Sequence, residues 1–466
     1  MLTRVATLAA ALLQAPPRSY GCRRGPRKLP CSQAVAFAIL RPAESGRKSA
    51  CAAKGNSLST KTIFFSVGEP SGDLHGANLA RALQNELPGV RCIGFGGPKM
   101  AAAGVALRAD LTELAVMWFL HALLNLPKFW NLIREANWVF RHERPDAVVL
   151  IDYPGFNWWI ARRAKAHQIP VFYYGVPQMW AWAPWRIRKM RRLVDYVLCK
   201  LPFETEWYRE RGCDAQYVGH PYFDEMAEQQ LDADYLRELQ TDVTPLIAIL
   251  PGSRRQEVSA NLPTFLRTAQ RVRETHPNVR FAIASFNEQQ ANMARELVAA
   301  QQMEIPVHCA HTGEIIRAAT ACLACSGSVS LELLYHRKPT VIHYRVSSIA
   351  FFVQRFFRRV RFITLVNLLA ADNRYCSRGE LYDARTDDVP FPEYLTSEDK
   401  SAEMSQHLVA WLEDTEAHAR VQQQLDDLKR GFAEPGASLR AARVITGVCA
   451  QLAPSRRTHY RPSQAA

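Results

Sequence analysis

A chain of 466 residues is too long for one ordinary hydrophobic core and long enough for two domains plus a tail. Hydrophobic residues at 48% and charged residues at 22% are ordinary for a globular protein, and no apolar run is long enough for a transmembrane helix. The net charge of +14 is uneven, since residues 1–60 hold ten Lys or Arg against the single acid Glu44. The smaller excess that remains suits a protein that handles phosphates or touches an anionic membrane.

Residues 1–60 are rich in Ala, Ser, Pro and Arg and show no folding pattern. They read as a transit peptide or as an inert arm left by an upstream start, and not as a secretory signal. From residue 61 onward, apolar strand, small-residue turn and amphipathic helix repeat. Strands are expected at 62–67, 147–152, 171–174, 196–198 and 216–218, with a first helix over about 75–84. A polar stretch over about 224–245 reads as a linker. A second series follows, with strands at 246–250, 280–284, 321–324 and 340–343 and a helix starting near Val258. The end, from about Ser397, is helical and polar, with a charged tail after Pro454. Continuous apolar strands alternating with helices indicate parallel sheets covered on both faces, and ligands of such sheets bind beyond the carboxyl ends of the strands. The expected division is an arm at 1–60, one doubly wound α/β unit at 61–225, a second at 226–454 with terminal helices, and a tail at 455–466.

Five turns carry candidate chemistry. Gly68-Glu69-Pro70-Ser71-Gly72-Asp73 joins a strand to a helix, where unpaired N–H groups favour an anion. Ser71 or Asp73 reads equally well as a simple cap. The sequence matches neither G-x-G-x-x-G nor a Walker motif. Asp152, in Ile151-Asp152-Tyr153-Pro154-Gly155-Phe156-Asn157, stands at the carboxyl end of an apolar strand, where a carboxylate can take a proton from an attacking hydroxyl. Pro177–Trp182 and the following Arg186, Arg188, Lys189, Arg191 and Arg192 mix rings and cations, which suits nucleic acid or a phosphate-bearing amphiphile, and a plain basic helix face would account for many of the arginines. Gly252, Ser253 and Arg254 form a second strand-to-helix turn whose guanidinium can pair with a diphosphate. Ser326-Gly327-Ser328 lets backbone approach a phosphate, and Glu332, one turn into the next helix, is placed to accept from ribose hydroxyls. Asp232 and Asp234 mimic a metal-binding D-x-D but lie in the polar stretch and read as solvated helix-start acids. Cys322 and Cys325 lack a second pair and read as buried core thiols.

Taken in order, GEPSGD, GFGGPKM, ELAVM, IDYPGFN, PQMWAW, LPFE, VGHP, LPGSR, SGSVSLE and LVNLLA resemble the signature of the lipid A disaccharide synthase family, strongly over about 61–370. The resemblance implies two Rossmann-like domains of GT-B type facing a cleft, with a helical C-terminal segment and the donor nucleotide on the second domain. It implies attack by the 6-hydroxyl of 2,3-diacylglucosamine 1-phosphate on UDP-2,3-diacylglucosamine, inverting, without metal or other cofactor. The family's essential aspartate and arginine match Asp152 and Arg254. Glu69, Ser71, Gly72 and Asp73 would shape the acceptor side. Gly252, Ser253, Arg254, Ser326, Gly327, Ser328 and Glu332 would bind UDP. Residues 1–60 have no counterpart in the family's core.

The same resemblance implies a protein peripheral on the cytoplasmic face of the inner membrane, with a homodimer as the candidate assembly; a transit peptide would instead direct it to an organelle such as the mitochondrion. Two aromatic, cation-flanked segments, 117–140 and 349–362, are the expected membrane contacts. No RNA-binding signature is present, so nucleic acid is not an expected partner. Another GT-B enzyme acting on a UDP-sugar and a non-catalytic lipid-binding module are the alternative functions.

Overall fold

The computed structural model describes residues 61–112, 126–376 and 379–451. The ELAVM motif and residues 117–125 of the first expected membrane segment lie outside them. Seven strands form the first sheet: β1 (Thr62–Val67), β2 (Arg91–Gly96), β3 (Ala106–Asp110), β4 (Ala147–Ile151), β5 (Val171–Tyr174), β6 (Tyr196–Cys199) and β7 (Ala215–Tyr217). Their order is β3-β2-β1-β4-β5-β6-β7, every pair parallel. The second sheet holds β8 (Leu246–Leu250), β9 (Arg280–Ser285), β10 (Val307–Cys309), β11 (Ala321–Cys325), β12 (Thr340–Arg345) and β13 (Glu393–Thr396), ordered β10-β9-β8-β11-β12-β13 and also parallel.

The central strands β1, β4, β5, β8 and β11 are buried along their whole length, which is why they read as unbroken apolar runs. In each sheet the strand order reverses between two of them, β1 and β4 in the first and β8 and β11 in the second. A doubly wound sheet opens a crevice at that reversal, because the helices on either side leave in opposite directions. The four turns leaving these strands are the ones at 68–71, 152–153, 251–254 and 326–328. Topology alone therefore gathers the candidate motifs at two crevices.

Four strands went unread from sequence. β3 shows no buried residue and β10 only half-buried ones, so neither carries a continuous apolar run, whereas β2 and β13 are largely buried but are broken by Gly94 and Gly96 or begin with Glu393. The first helix begins at Pro70, earlier than expected, with Glu69 extended as its N-cap residue. The expected linker is instead two helices, Tyr222–Glu228 and Ala233–Thr241. The second is started by Asp232, whose carboxylate accepts from the N–H groups of Asp234 and Tyr235 at 3.0 and 3.1 Å.

The last helix, Ala437–Gln451, was expected with the second unit. It crosses back and packs on the first sheet, where Ala441, Ala442, Ile445 and Cys449 share a core with Ile63, Phe65 and Leu79. Asp224 fixes its start, accepting from the N–H groups of Gly436, Ala437 and Ser438 at 2.6, 3.0 and 2.9 Å. Its Arg440 Nε donates to the Val218 carbonyl at 2.7 Å.

The second expected membrane segment contains the helix Ser348–Phe357, which buries no residue. Ile349, Phe352, Phe356 and Phe357 are exposed. Phe351 is half-buried, Phe362 is buried, and two of the four flanking arginines are not surface cations. Arg358 is buried, and Arg361 pairs with Asp387 at 3.0 Å.

Replacing Ile445 with Ala should lower stability by about 2–5 kcal/mol, the usual cost of a cavity left by a buried branched side chain. Chemical denaturation measures it, and an unchanged midpoint would mean that the last helix contributes little to the first core.

Candidate functional site

Asp152 and Tyr153 follow β4 with φ of 45° and 43°, a left-handed pair that side-chain-bearing residues adopt at a cost. The buried side chain of Asn157 holds them there. Its Nδ2 donates to the carbonyls of Asp152 at 2.7 Å, Ile151 at 3.2 Å and Ser66 at 3.3 Å, while its Oδ1 accepts from Ser66 Oγ at 2.7 Å. Tyr173 Oη donates to the Asp152 carbonyl at 2.7 Å. The turn is thus clamped from β1, from β5 and from its own helix, Pro154–Ala166.

The carboxylate of Asp152 faces Lys200, whose Nζ is 3.6 Å from Oδ1. Room for that pair depends on Gly175, at φ +68°, where a Cβ would lie 3.1 Å from Asp152 Oδ1. The Lys200 N–H donates to Glu204 at 3.1 Å, and Glu204 also accepts from Trp180 Nε1 at 3.0 Å. Burial pushes the Glu204 carboxyl up to about 7 against those bonds. Glu69 sits beside Asp152, and its carboxyl is raised, by burial first and then by the Asp152 charge, while Lys200 and Arg254 pull it down. His220 is buried, and desolvation first, then the Lys200 and His75 charges, hold its pKa well below the usual histidine value. Its Nδ1 accepts from the Tyr222 N–H at 3.2 Å, which leaves the proton of the neutral ring on Nε2. Neighbouring His75 lies 3.1 Å from Glu225.

Glu69, His75, Asp152, Lys200, His220 and Glu225 line a cleft of about 650 Å³ between the two sheets. Of the expected site residues it contains Glu69, Ser71, Asp152, Ser326, Gly327 and Ser328. Gly72 and Asp73 do not line it. Asp73 turns inward and accepts from the N–H groups of Gly97, Lys99 and Met100 at 2.8, 3.0 and 3.1 Å, so it ties the first helix to the loop after β2. A Cβ on Gly72 would lie 3.0 Å from Val67 Cγ1 and 3.5 Å from both Asp152 Oδ2 and Ile151 Cγ2, so Gly72 sits against the base of the Asp152 turn. Glu332 is buried away from the lining and accepts from Tyr222 Oη at 3.1 Å, with its carboxyl raised by burial.

On the second sheet, Gly252, Ser253 and Arg254 stand outside the lining. Glu257 organises this turn, accepting from the N–H groups of Ser253 and Arg254 at 3.0 and 3.1 Å and pairing with the Arg254 guanidinium at 3.2 Å. The Arg254 side chain is 76% exposed, and its charge reaches Glu69 across the cleft. The Ser326 hydroxyl donates to the Ile363 carbonyl at 3.1 Å, and space beside Gly327 is open. Cys322 and Cys325 are buried free thiols on β11, with Cys322 pushed up to about 12 by burial. Asp234 is exposed and pairs with Arg237. No cluster of three or more His, Cys, Asp or Glu suited to a metal ion occurs among the described residues.

Asn157, Lys200 and His220 went unassigned from sequence, although IDYPGFN contains the first and VGHP the third. Asn157 stands in the first turn of its helix, and nothing in the spacing tells that its amide turns back under the strand.

Residues 63–423 match the family model described as lipid-A-disaccharide synthetase. The lipid-A-disaccharide synthase of Anaeromyxobacter dehalogenans is 32% identical over 391 residues, covering 84% of this chain and 98% of that protein. That of Syntrophus aciditrophicus is 32% identical over 388 residues, covering 83% and 97%. Among solved structures, S. aureus MnaA in its co-structure with UDP superposes with a TM-score of 0.56 at 13% identity, covering 84% of this chain and 98% of that one. The calicheamicin glycosyltransferase CalG4 gives 0.52 at 14%, covering 85% and 100%. At such identities the likeness to both concerns the fold, two facing parallel-sheet α/β domains of GT-B type.

Because Asp73 spends its carboxylate on three backbone donors, Asp73→Ala should cost about 2–4 kcal/mol, leaving those N–H groups without their charged acceptor. Thermal and denaturant melts would register it; a variant as stable as the parent would return Asp73 to the list of residues kept for ligand contact.

Proposed function

The chain belongs to the lipid-A-disaccharide synthase family and is a glycosyltransferase of lipid A biosynthesis, and on that premise we propose which of its groups perform the transfer. The 6-hydroxyl of 2,3-diacylglucosamine 1-phosphate attacks the anomeric carbon of UDP-2,3-diacylglucosamine. Its proton passes to Asp152, the bond from that carbon to the UDP oxygen breaks, and the disaccharide forms with inverted configuration. The observation that carries this reading is the clamped left-handed turn, which spends backbone strain to fix one carboxylate in the cleft between the sheets. Lys200 steadies that carboxylate from one side. Glu69 and Ser71 border it on the acceptor side.

UDP would occupy the crevice between β8 and β11. The turn at 326–328 offers backbone donors to the diphosphate, and Arg254, exposed at the rim, supplies the positive charge that the leaving group needs. Glu257 holds that arginine's turn in place.

Both substrates carry acyl chains, so the reading includes work at a membrane surface. No helix among the described residues is long and apolar enough to cross a bilayer. The helix Ser348–Phe357 instead presents Phe352 and Phe356, 63% and 54% exposed, in edge contact with one another, beside the exposed Arg355. An unpartnered apolar helix face of this kind suits the interfacial region of a bilayer. A second face, on the helix Leu126–His142, exposes Trp130 and Trp138 around a groove that also contains Arg134 and Arg141.

Asp152→Asn should keep the fold and UDP binding while lowering turnover by about 10²–10⁴-fold, the range for a lost general base. Product formation from the two acylated glucosamines, followed with purified protein, is the assay; turnover near that of the parent would remove Asp152 from the mechanism.

For the membrane, protein lacking residues 1–60 should float with anionic liposomes, and Ser at 352, 356 and 357 together should abolish flotation. Equal flotation of the substituted protein would move the contact elsewhere, the tryptophan face being next to test.

A further inference from the structure

Arg358 is buried, 1% exposed, yet it lines the cleft. Its Nη2 donates to the carbonyls of Gly379 and Glu380, both at 2.8 Å. Its Nε and Nη1 have no partner among the described residues. A guanidinium keeps its charge under any ordinary condition, so it cannot escape burial by losing a proton. A buried charge without a counter-charge is strongly unfavourable. Desolvation accordingly pulls its pKa down.

No carboxylate of the described residues hydrogen-bonds it, and the charge of Glu393 offsets only part of the cost of burial. The nearby Glu393 accepts from the Ile363 N–H at 2.6 Å, from the Thr364 hydroxyl at 2.8 Å and from Asn367 Nδ2 at 3.0 Å, and burial pushes it up to about 7. Of the acids that line the cleft, Glu69 and Asp152 follow strands of the first sheet, beside Lys99 and Lys200, and Glu225, on the connecting helix, pairs with His75. On the second-sheet side Arg358 is the single charged residue of the lining. An anion entering the cleft is therefore drawn to this point on the second wall.

We propose that Arg358 is an anion-binding residue of the cleft that takes a phosphate oxygen of a substrate through its Nε and Nη1 edge. Arg358 is part of the cleft lining, and an outward swing of its long side chain would bring this unpartnered edge to the ligand. Two adjacent N–H donors on one planar group match two oxygens of one phosphate. This rests on the proposed reaction, in which two phosphate sources enter the cleft: the diphosphate of the UDP-sugar and the 1-phosphate of the acceptor.

The test uses the full chain and two variants. Arg358→Gln removes the charge but keeps a donor for the Gly379 and Glu380 carbonyls; Arg358→Lys keeps a charge. Binding of UDP, of glucosamine 1-phosphate and of glucosamine is titrated for each protein, with melting midpoints read alongside and turnover of the parent measured separately. The Gln variant should bind one phosphate-bearing probe at least tenfold more weakly, the Lys variant should recover part of that loss, and glucosamine should be unaffected. Weakened UDP assigns the residue to the diphosphate, and weakened glucosamine 1-phosphate to the acceptor. Unchanged affinity for both phosphate probes overturns the proposal. So does an equal loss for all three probes in both variants with lowered midpoints, which marks Arg358 as a strut for the loop. A parent that binds the phosphate probes through Arg358 but forms no disaccharide would refute the proposed reaction and leave the anion site standing.

Discussion

The buried amide of Asn157 is the constraint on which the cleft depends. Its nitrogen serves the carbonyls of Ser66, Ile151 and Asp152, and its oxygen holds the Ser66 hydroxyl. A left-handed step at two consecutive residues with side chains would relax in an isolated peptide. Here relaxing it would strip buried carbonyls of their donor, which is costlier than the strain. The carboxylate at the end of β4 therefore has a fixed place, and the positions of Lys200, Gly175 and Glu69 follow from it.

Around that fixed point the cleft separates its charges. The first-sheet wall carries Glu69 and Asp152 beside Lys99 and Lys200, while the second-sheet wall has Arg358 as its single charge among apolar residues and the serines at 326 and 328. In the proposed reaction the hydroxyl nucleophile and its base would use the first wall, and the anionic leaving group the second. The two-domain design lets each wall be built on its own sheet, so that the acid proposed for proton transfer does not lie among the proposed phosphate contacts.

What could be read from the chain was the central strands and the turns that end them. Thr62–Val67, Ala147–Ile151, Leu246–Leu250 and Ala321–Cys325 are buried on both faces, so their apolar runs are unbroken and the polar turn after each stands out. Edge strands such as Ala106–Asp110 have no such run. Side-chain direction was the other limit. Ser71 and Asp73 look alike as residues of a strand-to-helix turn, yet one borders the cleft and the other reaches residues 97–100 in the interior. Arg355, Arg358, Arg359 and Arg361 form one basic cluster in sequence. The distant carbonyls of Gly379 and Glu380, and Asp387, set Arg358 apart as a buried cation and tie Arg361 to an acid.

Asp224 has a mechanical consequence. It lies on the helix Tyr222–Glu228, where the chain first leaves the β7 side for the second sheet, and it grips residues 436–438, where the chain comes back. The two crossings between the lobes are thus bolted side by side at one point. Two parallel straps fixed at one edge act as a door hinge: they permit a swing about one axis and resist twisting or sliding. Across the gap, the Arg359 N–H donates to the Ala181 carbonyl at 2.9 Å, Arg374 lies over the Phe203 ring, and Val360, Phe362 and Leu368 join the core beneath the first sheet. The lobes are therefore held on both sides of the cleft, and a swing about the Asp224 hinge would have to draw those apolar side chains out of the first core.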